Sequence, residues 1–258
     1  MKRFIFLFML LAGVHFSCRS QDSIPEKKYE GIPYRYFIGN TSFDLPPGHG
    51  YYANTWLLGN EERIGLDEHL SVGGGIIAGF VIIGIITPVW VNVKFHQRVT
   101  DRFYVSAGGS YTGIFAIGWV EDFTFSYGHF AMASAGFTWG DYDNNFSLNV
   151  YKAFPISLFE DEDEEGTGVN GNAWVFNPAL KLKISPKTHL VLENFVLTEN
   201  ILSSKEFQPV WLTGIYGIQT AFKKSVWEFG IMGYYQTPFE NYSGHFLVLP
   251  YIGLKKLI

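Results

Sequence analysis

From about Tyr34 onward, polar and apolar side chains alternate with a period of two in runs of roughly ten residues, separated by short polar turns. Pro88 to Gln97 displays the pattern. Val89, Val91, Val93 and Phe95 fall on one face, and Trp90, Asn92, Lys94 and His96 on the other. In the same way, Trp174, Phe176, Leu180 and Leu182 oppose Asn177, Lys181 and Lys183, and Trp227, Phe229, Ile231 and Tyr235 oppose Glu228 and Gln236. Turns such as Leu66-Asp67-Glu68, Val99-Thr100-Asp101 and Ser185-Pro186-Lys187 launch these runs. A chain of such runs with no helical period predicts an all-β fold, a transmembrane antiparallel up-and-down β-barrel.

The predicted strands are 34–44, 50–65, 69–80, 88–98, 102–115, 124–139, 145–154, 173–184, 188–198, 209–222, 225–236 and 245–257. That is a barrel of about twelve strands, within a range of ten to twelve. Short connections (Leu66–Glu68, Val99–Asp101, Gly140–Asn144, Ser185–Lys187, Lys223–Lys224) alternate with mostly longer ones (Val81–Thr87, Ala116–Phe123, Pro155–Asn172, Glu199–Gln208, Thr237–Gly244). Bacterial barrels place short turns and both termini in the periplasm and long loops outside. This parity requires a strand before Tyr51, which is the reason for counting 34–44. Val72–Val91 carries no charge and is long enough for a membrane-spanning helix. Its three consecutive glycines, Pro88 and many β-branched residues favour a hairpin instead.

The N-terminus reads as an export signal. Lys2 and Arg3 precede the apolar run Phe4–Val14, and Cys18-Arg19-Ser20 sets small residues for cleavage after Ser20. Lipoprotein processing at Cys18 is the competing reading, against which His15 stands where an aliphatic residue belongs. The predicted organisation is a signal peptide at 1–20, a flexible periplasmic segment at 21–33 and the barrel at 34–258. Cys18 is the only cysteine, so a chain cleaved after Ser20 holds no disulfide and no thiolate-bound metal. Cleavage also removes Lys2, Arg3 and Arg19 and takes the formal charge from −5 to −8, which excludes nucleic acid as a partner. Aromatic content of 18% at middling hydropathy suits lipid-facing strands with aromatic girdles, to which Trp56, Trp90, Trp119, Trp139, Trp174, Trp211 and Trp227 are assigned.

The string Asn40-Thr41-Ser42-Phe43, followed by Gly48-His49-Gly50-Tyr51-Tyr52-Ala53-Asn54-Thr55, resembles the opening of uncharacterised outer-membrane barrel proteins of Bacteroidota-type bacteria. Ser71-Val72-Gly73-Gly74-Gly75 and Ile86-Thr87-Pro88 extend the resemblance, which covers about residues 34–115. It implies an outer-membrane location and supplies no activity. At the C-terminus Gly253 and Ile258 are spaced as a barrel-assembly signal requires, although Lys256 occupies an expected hydrophobic position. The partners expected are therefore outer-membrane lipid, the barrel-assembly machinery and a small solute.

Two charge features bear on function. Lys94, His96 and Arg98 share one face of a strand, Lys181 and Lys183 share one face of another, and Glu193 and Glu228 are their expected acidic neighbours. A charge facing lipid near the bilayer midplane costs ~2–4 kcal/mol, so all of these should face the lumen. They form either a basic constriction in a narrow passive pore for small, anionic solutes, or a lumen closed by ion pairs. The second feature is the run Glu160, Asp161, Glu162, Asp163, Glu164 and Glu165, within the outer loop 159–172. Its spacing does not match a calcium loop, and it reads as a solvated surface or as the contact surface of a plugged, partner-binding barrel. For a lipid-modifying enzyme the nearest Ser/His neighbours are Ser126 with His129 and Ser243 with His245, and neither matches a phospholipase motif. The reading is non-enzymatic, with no catalytic residues, no metal site and no cofactor.

Overall fold

The computed structural model describes residues 32–81, 84–118, 124–157, 173–198, 209–223, 225–236 and 245–258. They form one antiparallel sheet that closes on itself. Its strands are β1 (Gly50–Thr55), β2 (Gly59–Gly65), β3 (Leu70–Ile77), β4 (Gly79–Val81), β5 (Gly84–Thr100), β6 (Phe103–Gly118), β7 (Thr124–Gly140), β8 (Asn145–Ser157), β9 (Trp174–Ser185), β10 (Thr188–Thr198), β11 (Pro209–Phe222), β12 (Ser225–Gln236) and β13 (His245–Leu257). β3 and β4 are two pieces of one wall position, since both pair with β5. The wall is therefore a closed barrel of twelve strands, sealed where β1 pairs with β13. The seam itself covers residues 253–257 of β13, whose residues 245–252 pair with β12 alone among the described residues. The described residues of 72–91 lie in β3, β4 and β5 apart from Ala78 between the first two, and among the described residues no helix is long and apolar enough to cross a membrane.

The period-two alternation is obeyed on both sides of the wall. Val91, Val93 and Phe95 of β5 are exposed on the outside, whereas Lys94 and His96 between them are buried within. Trp227, Phe229, Ile231 and Tyr235 of β12 likewise face out and Glu228 faces in. Exposed apolar side chains recur around the whole outer surface, from Ile76 through Tyr111, Phe154, Leu182 and Ile218 to Ile252. So large an apolar surface marks contact with lipid or protein rather than water. Trp139 and Trp227 mark its edge near the short turns, and Trp174, under the Lys152 ammonium at 5.0 Å, marks the other edge.

The twelve wall positions are not the twelve read from the sequence. Residues 34–44 are not a strand, and 50–65 is two strands rather than one. The break is the turn Thr55-Trp56-Leu57-Leu58, where Trp56 and Leu57 both have positive φ (51° and 62°) and Leu58 N–H donates to Thr55 O at 3.1 Å. Two positive φ values define a tight hairpin turn normally built from Asn and Gly, so Trp-Leu gives no local sign of it. The left-handed conformation costs ~1–2 kcal/mol per non-glycine residue. Trp56 offsets this by turning inward: its ring packs on Tyr251 at 5.7 Å and its Nε1 donates to Pro250 O at 2.8 Å. The count stays at twelve, and the same short connections remain together at one end of the barrel.

Candidate functional site

Residues 32–45, expected as the first strand and the end of a flexible lead, instead enter the lumen and fill its short-turn half. Ile32 packs among Tyr51, Ala53, Ala221 and Val226 near that end. The chain then climbs to a tight reversal, with Tyr36 N–H donating to Gly39 O and Thr41 N–H to Tyr34 O. It descends through Phe43, which meets Tyr104 and Tyr142 edge-on at 4.8 and 4.6 Å. Tyr36, Phe37, Phe43, Thr41 and Ser42 are fully buried. We call this segment the plug.

A buried backbone without sheet partners must satisfy its polar groups elsewhere. Here the wall's side chains do so. The Glu193 carboxylate accepts from Ile38 N–H at 2.9 Å and Gly39 N–H at 2.5 Å. Thr138 Oγ1 accepts from Ser42 N–H at 2.6 Å. Lys94 Nζ donates to Thr41 O at 2.7 Å, Gln219 Nε2 to Tyr36 O at 3.1 Å, and Tyr251 hydroxyl to Phe37 O at 3.1 Å. Side chains of the plug reach back: Tyr36 hydroxyl donates to Asn145 Oδ1 at 2.6 Å, and Arg35 pairs with Glu61 at 2.7 Å. Gly39 is where the tip presses on the wall, since a Cβ there would lie 2.3 Å from Asn177 Oδ1 and 2.4 Å from Glu193 Oε1.

The charged residues expected in the lumen divide into two groups. Lys94, His96, Lys181, Glu193 and Glu228 are buried inside the barrel. Lys94 and Lys181 spend their ammonium groups on plug carbonyls, Lys181 on Ile32 O at 3.3 Å. His96 Nδ1 faces Asp44 at 2.9 Å, and Glu228 pairs with Lys255 at 2.5 Å with both side chains about 1% exposed. Arg98 and Lys183 lie instead at the short-turn rim, Arg98 against Asp101 and Lys183 against Asp143 at 2.8 Å. Lys255, Arg35 and the plug contacts escaped sequence reasoning. An alternating Val248-to-Lys256 pattern could have placed Lys255 inside; nothing local signals the plug. The acidic run 160–165 lies outside the described residues. Of the Ser/His neighbours, His129 stacks near the outward Tyr111 and Tyr127 (5.7 and 5.3 Å). Ser126, three positions away on the same strand, points to the opposite face, so the two cannot act together. Ser243 lies outside the described residues. Trp90, assigned to a girdle, turns inward and lies against Gly75, where a Cβ would come within 2.3 Å of its ring.

At the short-turn mouth Asp143 accepts from Lys183 Nζ at 2.8 Å and faces His189 Nε2 at 3.1 Å. Partial burial opposes its ionisation, but the two hydrogen bonds and the charges of Lys183 and His189 outweigh this and hold its carboxyl below the usual range. A carboxyl with a depressed folded pKa stabilises the fold above its unfolded pKa and loses that contribution as pH falls through the folded one. Asp143→Asn should therefore unfold at lower temperature than the parent at neutral pH, with the gap closing as pH falls through and below the ordinary aspartate range. Thermal unfolding followed by circular dichroism across that range checks this; a gap independent of pH would contradict it.

Beyond the plug tip, on the side of the long connections, the lumen holds a cavity of about 330 Å³. Ile38, Gly39 and Asn40 form its floor. Met132, Tyr151, Val175 and Phe195 line one side. The opposite side carries Glu61, Arg63, Trp90 and Asn92. Arg63 donates to Asn92 Oδ1 at 2.6 Å and Ser71 Oγ at 3.4 Å, and the Tyr51 hydroxyl lies 3.2 Å from Glu61.

The class these features define is a closed antiparallel β-barrel with an apolar outer surface and a polar lumen occupied by its own chain. No family model matches the sequence, and no curated protein matches it. Among solved structures it is similar to one titled "CymD monoaromatic hydrocarbon channel", with a TM-score of 0.45 and 9% sequence identity, over 81% of this chain and 87% of that one. A likeness at that level carries no argument about what passes through this barrel.

Proposed function

We propose that this protein is an outer-membrane channel for small solutes, closed in the form described by its N-terminal plug and opened when the plug leaves the lumen. The observation that carries this reading is the way the lumen is closed. The plug's described contacts with the wall are hydrogen bonds, ion pairs and packing, all of them reversible, and beyond its tip lies a solute-sized chamber. An outward apolar belt and connections that are short at one end support a bacterial outer membrane, with the acidic loop 159–172 outside. Export through a signal peptide cleaved after Ser20, delivery by the barrel-assembly machinery, and kinship with the Bacteroidota-type barrels that Asn40–Thr55 resembles belong to the same reading.

The test is a tether. With Cys18→Ser, cysteines at Gly39 and Asn177 would pin the plug tip to β9; a Cβ at Gly39 lies 3.0 Å from Asn177 Cγ, the place that the sulfur of a cysteine at 177 would take. In planar bilayers the oxidised protein should be silent, and reduction should restore openings at least as frequent as the parent's, since a Cβ at Gly39 lies 2.4 Å from Glu193 Oε1 and loosens its grip. Equal conductance before and after reduction would remove the gate.

The second reading is a permanently plugged, partner-binding barrel, favoured by how many buried polar groups the plug satisfies. Its contact surface would be the acidic loop. Deleting Glu160–Glu165 should then abolish partner capture while leaving assembly intact, and undiminished capture would remove it.

A further inference from the structure

The chamber beyond the plug contains a cation whose hydrogen-bonding capacity is not used up. Arg63 is 4% exposed and lines the cavity. Its guanidinium rests on neutral oxygens, Nη1 on Ser71 and Nη2 on Asn92, with the Tyr51 hydroxyl also beside it. Its Nε is buried with no hydrogen-bond partner among the described residues. A buried donor left unmade is costly, and the guanidinium that carries it lines the cavity. The nearby acid Glu61 is already engaged by Arg35 at 2.7 Å and by Tyr51 at 3.2 Å. Arg63 thus adds positive charge that the described neighbours do not cancel. Nε and Nη2 form one edge of the guanidinium, the edge that receives both oxygens of a carboxylate. Nη2 is held meanwhile by Asn92, a neutral acceptor that a charged one outcompetes.

Across the cavity stand Met132, Val175 and Phe195, with the Trp90 indole flanking the polar side. These can cover an apolar body, and Ser134, Asn149 and Tyr151 beside them supply the polar groups of that side. The two sides together define what fits. We infer that the chamber is a binding site for a small organic carboxylate with a compact apolar or aromatic body, its carboxylate on the Nε–Nη2 edge of Arg63 and its body against Met132, Val175 and Phe195. This rests on reading the chamber as the place where solute waits on the closed plug, and it names the class of solute. The cavity of about 330 Å³ holds a ligand of that size.

Three probes separate the contributions: benzoate carries both parts, benzyl alcohol the body alone, and acetate the carboxylate alone. Each is titrated by calorimetry into the full chain folded in detergent. Benzoate is expected to bind on the order of tenfold or more tighter than either of the others. Arg63→Gln should lower benzoate to the level of benzyl alcohol. Asn92→Asp keeps the shape of the site while seating a permanent carboxylate on Arg63, and it should abolish benzoate binding. Both variants are checked for the folded form by migration without boiling; should Arg63→Gln fail to fold, Asn92→Asp alone decides. Benzoate and benzyl alcohol binding equally, or benzoate binding unchanged in the folded variant, would overturn the inference. Conductance is not read in these titrations. A chamber that binds benzoate above a plug that never opens would remove the channel and leave the site; an opening barrel indifferent to Arg63 would do the reverse.

Discussion

Glu193→Ala is expected to turn a mostly silent barrel into a conducting one. Glu193 is fully buried and its carboxylate holds the two amides at the plug tip, Ile38 N–H and Gly39 N–H, while Asn177 Nδ2 braces it at 3.3 Å. A hydrogen bond to a charged group contributes ~1.5–3 kcal/mol, so each one lost shifts the balance between seated and released plug by roughly tenfold to a hundredfold. The alanine variant loses both grips at once and leaves two buried amides unsatisfied. The barrel wall is spared, because the β9–β10–β11 ladder is made by backbone groups that the substitution does not touch. Single-channel recording should show the probability of opening rise by at least the single-bond factor, while migration of the unboiled protein stays that of a folded barrel. A variant as silent as the parent, with the fold intact, would mean that the plug is not a gate.

Glu228→Ala should have the largest effect on stability. Glu228 pairs with Lys255 at 2.5 Å, accepts from Gln219 Nε2 at 2.7 Å and lies 3.3 Å from the Tyr251 hydroxyl. Lys255 also donates to Tyr36 O, so the pair fastens β12, β13 and the plug together. Removing one member of a buried pair leaves the other charged in a medium that cannot solvate it, at a cost of roughly 3–5 kcal/mol. The temperature at which the unboiled band disappears should fall markedly. Glu228→Gln combined with Lys255→Met removes both charges and should recover much of that loss, since an uncharged lumen of similar volume carries no desolvation cost. A double variant no more stable than Glu228→Ala would place the effect in packing instead of charge.

The two variants separate two kinds of contact. Glu193 binds backbone amides at the plug's tip, where loss frees a segment. Glu228 lies at its base, where loss strands a charge inside the wall. The difference follows from which partner remains: an amide released with the plug can reach water, whereas the Lys255 ammonium on β13 cannot leave.

The wall was legible because its signal is local. On β5, β9 and β12 an outward-facing residue and a lumen-facing residue are adjacent in the chain, and each run reports its own two environments. That is why Lys94, His96, Lys181, Glu193 and Glu228 could be turned inward from the pattern alone. Arg98 and Lys183 follow the same alternation but sit past the end of the lumen, because alternation fixes the face and says little about depth.

The plug was not legible for the opposite reason. Tyr34 to Asp44 enters the strand count only through the parity of the connections, whereas Glu193, Thr138, Lys94 and Gln219 satisfy its backbone from distant parts of the chain. No local pattern encodes such partners. The Trp56-Leu57 turn was hidden similarly, since its left-handed conformation is sustained by Tyr251 and Pro250, about two hundred residues along the chain. What the amino-acid sequence determined by itself is most of the wall: the strand period, the sidedness of the runs on β5, β9 and β12, and the alternation of short and long connections. Only the tertiary structure decided what occupies the interior. Closing the barrel brings strands far apart in the chain around one small volume, and the charges gathered there bind the protein's own backbone over half of it and leave Arg63 facing a cavity in the other.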